Sequence, residues 1–301
     1  MKASMIIHGG AGSGKYPGGD ARFAELRVAL EEGLVAMKRG GSLDGVETAV
    51  RYMESSGLFN AGKGACLTAE GKVRLDAAVM TGEGRRGCGV ALVDCTHHPV
   101  TLARWVMERT HHVLVAGDDT RTYAKAAGIK LEKLRPSKIT LEKYRRLLKE
   151  KGGAANRNRL LWDRIQEGNT VGAVAIDRSG IPAAAVSTGG MWFKLPGRIG
   201  DSAVIGAGIH ADGDSGAACA TGTGEDVIRN ALCWNACEYL KGGSALSAAR
   251  RAVSLMTKRS GEDTAGIITV DLKGRVGFSY NTEAMGRAWN DPVTGRTHVA
   301  V

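Results

Sequence analysis

The sequence predicts an α+β fold in which antiparallel sheet is covered by helices. Two observations favour this class: strand pairs are joined by tight turns in the second half, and helices occur in pairs instead of alternating with strands. A doubly wound parallel sheet would alternate strand and helix along the chain. The length of 301 residues and a hydrophobic content of 43% suffice for a large core and exclude a predominantly disordered chain.

The first half is predicted to begin with a short strand and a glycine-rich turn, followed by two helices. In the first helix apolar residues recur at helical spacing, and Gly40 and Gly41 end it. Ser42 is a plausible cap for the second helix. The predicted elements are a strand over 5–8, helices over 20–39 and 42–53, a hairpin of strands around Cys66 and over 72–80, a strand over 87–94, a helix over 101–108 and a strand over 113–116.

The second half is predicted to open with a hairpin of apolar strands and to close with another hairpin. Two consecutive helices lie between them, the second beginning at Ser244. The hairpins are the reason for predicting antiparallel pairing. The predicted elements are strands over 170–177, 181–188 and 216–221, helices over 225–240 and 244–259, and strands over 265–272 and 275–282.

The net charge of +10 is confined to the middle of the chain. Residues 1–120 carry 14 basic and 14 acidic side chains, residues 170–301 carry 13 and 12, and residues 121–169 carry 14 and 5. We interpret 121–169 as a basic, mobile connector between two nearly neutral halves. Its stretch over 141–169 predicts a surface helix, a break at GGAAN (152–156) and a second short amphipathic piece. A nucleic-acid-binding role would require interleaved aromatic residues for base stacking, and this segment offers only two tyrosines and one tryptophan.

The expected location of the protein is cytoplasmic. The first residues lack the apolar stretch of a secretory signal, and no apolar run reaches the ~18–20 residues that cross a bilayer. The six cysteines contain no Cys-x-x-Cys pair, which disfavours a zinc ribbon, and a disulfide framework is not expected without secretion. We therefore expect no membrane partner and no nucleic-acid partner.

Small hydroxyl residues flanked by glycines are concentrated between residues 168 and 225. A hydroxyl is a poor nucleophile at neutral pH and needs a base, for which a free N-terminal amine is one option. In the same segment Arg198 and Asp201 lie three residues apart in a glycine-flanked loop. This pair could bind the carboxylate and the ammonium of one α-amino acid, or the two could form a surface salt bridge with each other.

A series of short motifs, taken together and in order, identifies a family resemblance. They are HGGAG at 8–12, LFNAGKG at 58–64, LDAAVM at 75–80, TVGAVAID at 170–177, STGG at 187–190, KLPGRIGDS at 194–202, GAG at 206–208, ATGTGE at 220–225 and SYNTEAMGRAW at 279–289. With these motifs the chain resembles the plant-type L-asparaginase/isoaspartyl aminopeptidase family, a branch of the N-terminal nucleophile hydrolases. The resemblance covers most of the chain and spares mainly 121–169.

The resemblance implies one domain over residues 1–301, built as a four-layer αββα sandwich. It implies self-cleavage between Asn169 and Thr170 into an α subunit, 1–169, and a β subunit, 170–301. Two such heterodimers would associate. Cleavage would free the α-amine of Thr170, a group whose ordinary pKa of about 7.7–8.0 suits a base at neutral pH.

The resemblance also implies roles for residues around Thr170, which would be the nucleophile. Thr188 would hydrogen-bond near the nucleophile, and Asn60 would border it. Arg198 would hold the α-carboxylate of the substrate, and Asp201 its α-ammonium.

The oxyanion hole would consist of Thr221 and the backbone N–H of Gly222. The loss of one such donor costs about 10²–10³ in rate. No cofactor is required by this chemistry, although some members of the family bind a structural sodium ion through backbone carbonyls. The corresponding carbonyls here belong to Met53, Glu54, Ser56, Phe59, Ala61 and Lys63.

The activity implied is that of an autoproteolytically activated hydrolase, which releases ammonia from L-asparagine and cleaves β-aspartyl dipeptides through a threonine acyl-enzyme. The alternative is a glycosylasparaginase-type amidohydrolase acting on a substituted asparagine, and STGG at 187–190 favours the first activity. The chain departs from the family pattern at Asn169, where Gly or Asp is usual, and at Ala203, where proline is common. Trp192 and Phe193 add bulk beside the substrate loop, and we expect them to bias the choice of leaving group.

Overall fold

The computed structural model describes residues 3–12, 19–150 and 170–301. Its helices in these ranges are α1 (Gly19–Gly40), α2 (Ser42–Ser56), α3 (Pro99–Arg109), α4 (Thr120–Ala126), α5 (Lys138–Glu150), α6 (Gly224–Arg229), α7 (Leu232–Lys241) and α8 (Ala245–Ser260). Its strands are β1 (Ser4–Gly12), β2 (Leu75–Thr81), β3 (Gly87–Val93), β4 (Leu114–Ala116), β5 (Val171–Ile176), β6 (Pro182–Thr188), β7 (Ile209–Asp212), β8 (Gly216–Gly222), β9 (Ala265–Asp271), β10 (Val276–Tyr280), β11 (Ala284–Asn290) and β12 (Thr297–Ala300).

The strands of the described residues form two sheets. The order in the larger sheet is β12-β11-β1-β5-β6-β2-β3-β4, and the order in the smaller sheet is β10-β9-β8-β7. Neighbouring strands are antiparallel except for β3 and β4, which are parallel. The predicted α+β class with antiparallel pairing is therefore confirmed. Strand β5, which follows Thr170, lies inside the larger sheet between β1 and β6.

Alternating side chains of β1 show how the two sheets and the helices share the core. Met5 and Ile7 point to one face of the larger sheet, where they join the cluster that contains Leu26 of α1. Ile6 points to the opposite face, where it joins the cluster that contains Ile268 of the smaller sheet. Helices α7 and α8 share a third apolar cluster with the smaller sheet.

The hairpin predicted around Cys66 is confirmed only in part: its second strand is present as β2, whereas its first strand is not formed. Only an isolated bridge between Leu67 and Val73 is present where two paired strands were expected. The Thr68 amide donates across the turn to the Lys72 carbonyl over 2.9 Å, and the Ala69 amide, within the turn, donates to the carbonyl of Lys194 over 3.0 Å. The backbone of this segment therefore holds a segment from the second half of the chain.

The helix predicted over 225–240 is divided into α6 and α7. Ala231 lies between them in a left-handed conformation, with φ at 43°. The Asn235 side chain donates to the carbonyls of Asn230 and Ala231, at 2.8 and 3.3 Å. These bonds satisfy carbonyls near the end of α6, which periodicity alone does not reveal.

Helix α5 confirms the surface helix predicted in the basic segment. Leu147 is buried on its inner side, and the Tyr144 hydroxyl donates to the Ala69 carbonyl over 3.1 Å. The break and second amphipathic stretch predicted after α5 lie outside the described residues. Elements α4, β7 and β12 were not predicted. No helix among the described residues is long and apolar enough to cross a membrane.

We expect the helical cover of the larger sheet to contribute strongly to stability. Leu26→Ala removes a fully buried side chain, which costs about 2–5 kcal/mol in free energy of unfolding. Val35→Ala on the same helix is the control, because Val35 is 43% exposed. Urea unfolding of both variants checks this, and an equal small effect for the two would contradict the described packing.

Candidate active site

Thr170 is held at the start of a strand inside the larger sheet. It is buried, and its Oγ1 donates a hydrogen bond to Oγ1 of Thr188 over 3.2 Å. Thr188 ends the neighbouring strand β6, and its Oγ1 also accepts a bond from the Gly190 amide at 2.9 Å. Antiparallel pairing of β5 and β6, with Val171 opposite Ser187, brings the two threonines side by side. The structure therefore orients the hydroxyl of Thr170 through Thr188.

The smaller sheet approaches the larger one closely behind Thr170. A Cβ atom at Gly172 would lie 2.2 Å from Sγ of Cys219 and 2.4 Å from Nε2 of His8, so only glycine fits there. Nε2 of His8 lies 3.4 Å from that sulfur. Complete burial lowers the pKa of His8 to about 3, although a hydrogen bond with the backbone of Thr170 opposes the shift. His8 is therefore neutral at physiological pH and supports the strand that carries Thr170.

Asn60 ties the loop after α2 to the residues that follow Thr188. Its Nδ2 donates to the Gly190 carbonyl over 2.6 Å, and its Oδ1 accepts from the Cys66 amide at 2.7 Å. The Gly189 amide donates to the carbonyl of Asn60 over 2.9 Å. Asn60 thus lies beside the end of β6, and it fixes the backbone immediately after Thr188.

Thr221 is a residue of the smaller sheet that lies near the end of β5 at which Thr170 is located. It is fully buried in β8, and its Oγ1 accepts a bond of 3.4 Å from the Ala11 amide. Because β1 is antiparallel to β5, with His8 opposite Gly172, Ala11 lies at the Thr170 end of this strand pair. The accepted bond leaves the hydroxyl proton of Thr221 able to donate to another group.

Gly222 occupies a backbone conformation that requires glycine. Its φ is 139°, and a Cβ there would lie 2.2 Å from the Thr264 carbonyl oxygen. The hydroxyl of Thr221 and the N–H of Gly222 are successive donors at the end of β8. Two adjacent donors of this kind can stabilise an oxyanion.

Arg198 is enclosed by glycines and paired with a carboxylate that the sequence analysis did not single out. Its Nε donates to Oε1 of Glu225 over 3.0 Å. Cβ atoms at Gly190, Gly200 and Gly224 would each lie 2.8–3.1 Å from its terminal nitrogens. Among the described residues the ion pair of Arg198 is with Glu225 and not with Asp201, so the surface salt bridge considered above is not formed.

Asp201 is a buried carboxylate close to Arg198. Its Oδ1 and an Arg198 nitrogen would lie 2.8 and 2.9 Å from a Cβ at Gly224, so both charged groups converge on this glycine. Oδ2 of Asp201 has no hydrogen-bond partner among the described residues. Burial raises the pKa of Asp201 to about 7, and the charge of Arg198 opposes the rise. A cation and an available acid side by side can bind a zwitterionic amino acid.

Asp76 was missed as a supporting residue. This fully buried side chain of β2 accepts bonds from the amides of Leu92 at 2.9 Å and Gly200 at 3.2 Å. It therefore anchors the backbone between Arg198 and Asp201. The available signal was a lone aspartate in the apolar motif at 75–80, because buried carboxylates require hydrogen-bond partners.

Trp192 and Phe193 were expected to add bulk beside the substrate loop, but their side chains pack into the protein core. Both side chains are buried in the core cluster that contains Leu26 of α1. The Phe193 ring packs against Tyr144 of α5, with ring centroids 5.1 Å apart. Their bulk contributes to a contact with the basic segment.

The residues corresponding to the sodium loop lie at the end of α2 and in the loop after it. Cβ atoms at Gly62 and Gly64 would lie 2.3 Å from the Glu54 carbonyl oxygen and 2.2 Å from that of Phe59, so the glycines permit close approach of these oxygens. The C-terminal end of a helix also favours a cation. The Glu54 carboxylate points elsewhere, where it accepts bonds from the His98 ring and the Val100 amide. No group of three or more His, Cys, Asp and Glu side chains in the described ranges could hold a metal.

Comparisons with known proteins agree with the motifs. A family model described as Asparaginase matches residues 1–299. The chain is 43% identical over 295 residues to a protein named "Plant-type L-asparaginase" from Pyrobaculum calidifontis, covering 96% of this chain and 97% of that protein. It is 39% identical over 300 residues to one of the same name from Thermococcus kodakarensis, covering 95% and 96%. It is 38% identical over 309 residues to an "Isoaspartyl peptidase" from Salmonella typhimurium, covering 98% of each.

We expect the neutrality of His8 to make stability depend on pH. Its pKa is about 3 in the folded protein and about 6.5 when unfolded, so below pH 6.5 the unfolded chain binds a proton that the folded chain does not. The free energy of unfolding then falls by up to ~1.4 kcal/mol for each pH unit below 6.5. His8→Gln removes this contribution, which urea unfolding between pH 5 and 7.5 measures. The exposed His111→Gln is the control, and an identical pH slope in His8→Gln and wild type would refute the interpretation.

Proposed function

This chain belongs to the asparaginase family, and on that premise we propose that it hydrolyses L-asparagine and β-aspartyl dipeptides through an ester on Thr170. The observation that carries the proposal is the buried hydroxyl of Thr170, hydrogen-bonded to Thr188 at the start of β5. Relatives named L-asparaginase and isoaspartyl peptidase support both substrates. The chain is accordingly an amide hydrolase.

Activation begins at the peptide bond before Thr170. The Thr170 hydroxyl attacks the Asn169 carbonyl, and the acyl group moves from nitrogen to oxygen. Water then hydrolyses the ester, which leaves a carboxylate on Asn169 and a free α-amine on Thr170. Asn169 lies outside the described residues, and the α subunit (1–169) and β subunit (170–301) follow from this step.

In the catalytic cycle the freed amine of Thr170 accepts the proton of its own hydroxyl. Oγ1, oriented by Thr188, attacks the side-chain carbonyl of the substrate. The oxyanion is stabilised by the Thr221 hydroxyl and the Gly222 N–H. The amine returns the proton as ammonia or an amino acid leaves, and water then hydrolyses the β-aspartyl ester to release aspartate.

The α-carboxylate and α-ammonium of the substrate bind to Arg198 and Asp201. The guanidinium can form two parallel bonds to a carboxylate, and Asp201 has an available oxygen beside it. Glu225 holds Nε of Arg198, which leaves the terminal nitrogens for the substrate. Asp76 holds the backbone between these two residues.

We also propose the finer architecture and surroundings that the family implies. Three core clusters, one between the sheets and one between each sheet and its helices, support a four-layer αββα sandwich of the N-terminal nucleophile hydrolase type. The cleaved protein assembles as a dimer of αβ heterodimers in the cytoplasm.

A structural sodium ion fits the loop after α2. Support for this comes from the carbonyl oxygens of Glu54 and Phe59, which lie close to Gly62 and Gly64 after the C-terminal end of α2, where the helix dipole favours a cation. When bound, the ion would offset the partial negative charges of these carbonyl oxygens and stabilise the loop that carries Asn60. The other candidate oxygens are the carbonyls of Met53, Ser56, Ala61 and Lys63.

The proposal is tested by incubating wild type, Thr170→Ala and Thr170→Ser and assaying each. Wild type should give two fragments on a denaturing gel, with Thr170 at the new N-terminus by mass spectrometry, and should release ammonia from L-asparagine. Thr170→Ala should remain intact and inactive because it lacks the nucleophile, whereas Thr170→Ser retains a hydroxyl and should be cleaved. Ammonia release by Thr170→Ala, or full activity of uncleaved wild type, would refute the mechanism.

Substrate binding should weaken as Asp201 is protonated. Its pKa of about 7 means that below pH 7 it loses the charge that binds an ammonium, so affinity falls by up to about tenfold per pH unit. The measurement is the inhibition constant of L-aspartate between pH 5 and 8.5. Asp201→Asn should bind weakly throughout this range, and Arg198→Ala should bind weakly but retain the pH dependence. An unchanged pH profile in Asp201→Asn would contradict its role.

A further inference from the structure

Helix α5 contacts the loop that carries the proposed substrate arginine. The Tyr144 ring packs on Phe193 at 5.1 Å between centroids, and the Tyr144 hydroxyl donates to the Ala69 carbonyl over 3.1 Å. Nζ of the preceding residue, Lys143, lies 5.6 Å from the centre of the Trp192 ring. The basic segment is therefore packed against residues 191–198 by aromatic and cation–π contacts.

Phe193 is held in a conformation that its side chain disfavours. Its φ of 59° is in the left-handed region, which is uncommon for a bulky residue and persists only where surrounding contacts enforce it. Its amide donates to the Leu67 carbonyl over 2.9 Å, and the next carbonyl, of Lys194, accepts from the Ala69 amide at 3.0 Å. The Tyr144 ring packs against the Phe193 ring, and the Tyr144 hydroxyl donates to the carbonyl of Ala69.

The strained turn is one of two anchors on either side of Arg198. Downstream, the Gly200 amide donates to Asp76 over 3.2 Å. Upstream, the Lys194 ammonium donates to the Arg74 carbonyl over 2.8 Å, and the Arg198 amide bonds to the Leu195 carbonyl at 3.1 Å. Relaxation of Phe193 would release the upstream anchor and move Arg198.

We propose that Tyr144 is a positioning residue for substrate binding: through Phe193 it holds the 191–198 loop in the conformation that places Arg198. This rests on the proposed role of Arg198 in binding the substrate carboxylate. Helix α5 belongs to the proposed α subunit, and its side chains contact the 191–198 loop of the β subunit. The α subunit therefore remains a component of the substrate site after cleavage. The contact depends on Trp192 and Phe193, the residues at which this chain adds bulk.

The structural part of the proposal is tested by hydrogen exchange of wild type, Tyr144→Ala and Ile139→Ala. Ile139 is the matched control, since it lies on the same helix and is 73% exposed. Amides within 191–198 should exchange at least about tenfold faster in Tyr144→Ala, with no change in β5 or β6 and no change in Ile139→Ala. Unchanged exchange in this loop would overturn the proposal, whatever the enzyme's activity.

The functional part is tested by comparing KM with kcat for L-asparagine in the cleaved proteins. Tyr144→Ala should raise KM about tenfold and leave kcat and the extent of cleavage within about twofold. The reason is that α5 contacts the 191–198 loop, which carries Arg198, and does not contact Thr170. Tyr144→Phe retains the ring and should stay close to wild type. An unchanged KM in an active Tyr144→Ala enzyme would overturn the positioning role alone, whereas inactive, fully cleaved wild type would refute the proposed function.

A second variant covers the case in which Tyr144→Ala does not fold. Phe193→Ala removes the same ring contact and leaves a residue that, like Phe, disfavours the left-handed backbone, so the turn can relax. It should produce the same faster exchange of 191–198 and the same rise in KM. A folded Phe193→Ala protein with wild-type exchange and KM would overturn the proposal.

Discussion

A hydroxyl can act as a nucleophile only when its oxygen is fixed relative to its base and to the groups that stabilise the product of attack. In this chain that constraint is met by the position of Thr170 at the start of β5, with its Oγ1 bonded to Thr188 across the β5–β6 pair. Both strands lie inside the larger sheet, so movement of Thr170 requires disruption of the core. Asn60 secures the backbone after Thr188, while His8 and Gly172 permit the smaller sheet to pack directly behind. The donors at Thr221 and Gly222 reach the same end of the sheet because of this packing.

The proposed substrate-binding pair, Arg198 and Asp201, follows a different physical rule, which is that a buried charge requires compensation. Arg198 is enclosed by glycines and paired with Glu225, whereas Asp201 lies beside it with one available oxygen. A buried carboxylate without full compensation favours its neutral form, which raises the pKa of Asp201. A substrate ammonium would restore that compensation. The proposed binding of zwitterionic substrates therefore draws on the same desolvation that raises the pKa of Asp201.

The predictability of the structure differed between elements for physical reasons. Long amphipathic helices such as α1 and apolar strands such as β5 were predicted, since their periodicity reflects the faces that they bury. The first strand of the hairpin around Cys66 was predicted but is reduced to one bridge, because its Leu67 carbonyl accepts from the amide of Phe193, a partner far away in sequence. The sequence motifs place Thr170 and Thr188 at the ends of adjacent strands. The hydrogen bond between the two side chains agrees with the proposed role of Thr188 beside the nucleophile. Glu225 and Asp76 were missed because their roles depend on Arg198 and Gly200, and no local pattern records such contacts.

In the proposed mechanism, Oγ1 of Thr170 carries the β-aspartyl group during turnover. This ester can be trapped by rapid acid quenching of the cleaved enzyme with L-asparagine, followed by peptide mass spectrometry. We predict that the fragment beginning at Thr170 gains the mass of one β-aspartyl group, located on Thr170 itself and removable by hydroxylamine. An active, cleaved enzyme that carries the group on a different residue, or releases aspartate while no adduct forms under conditions that trap esters, would contradict this account.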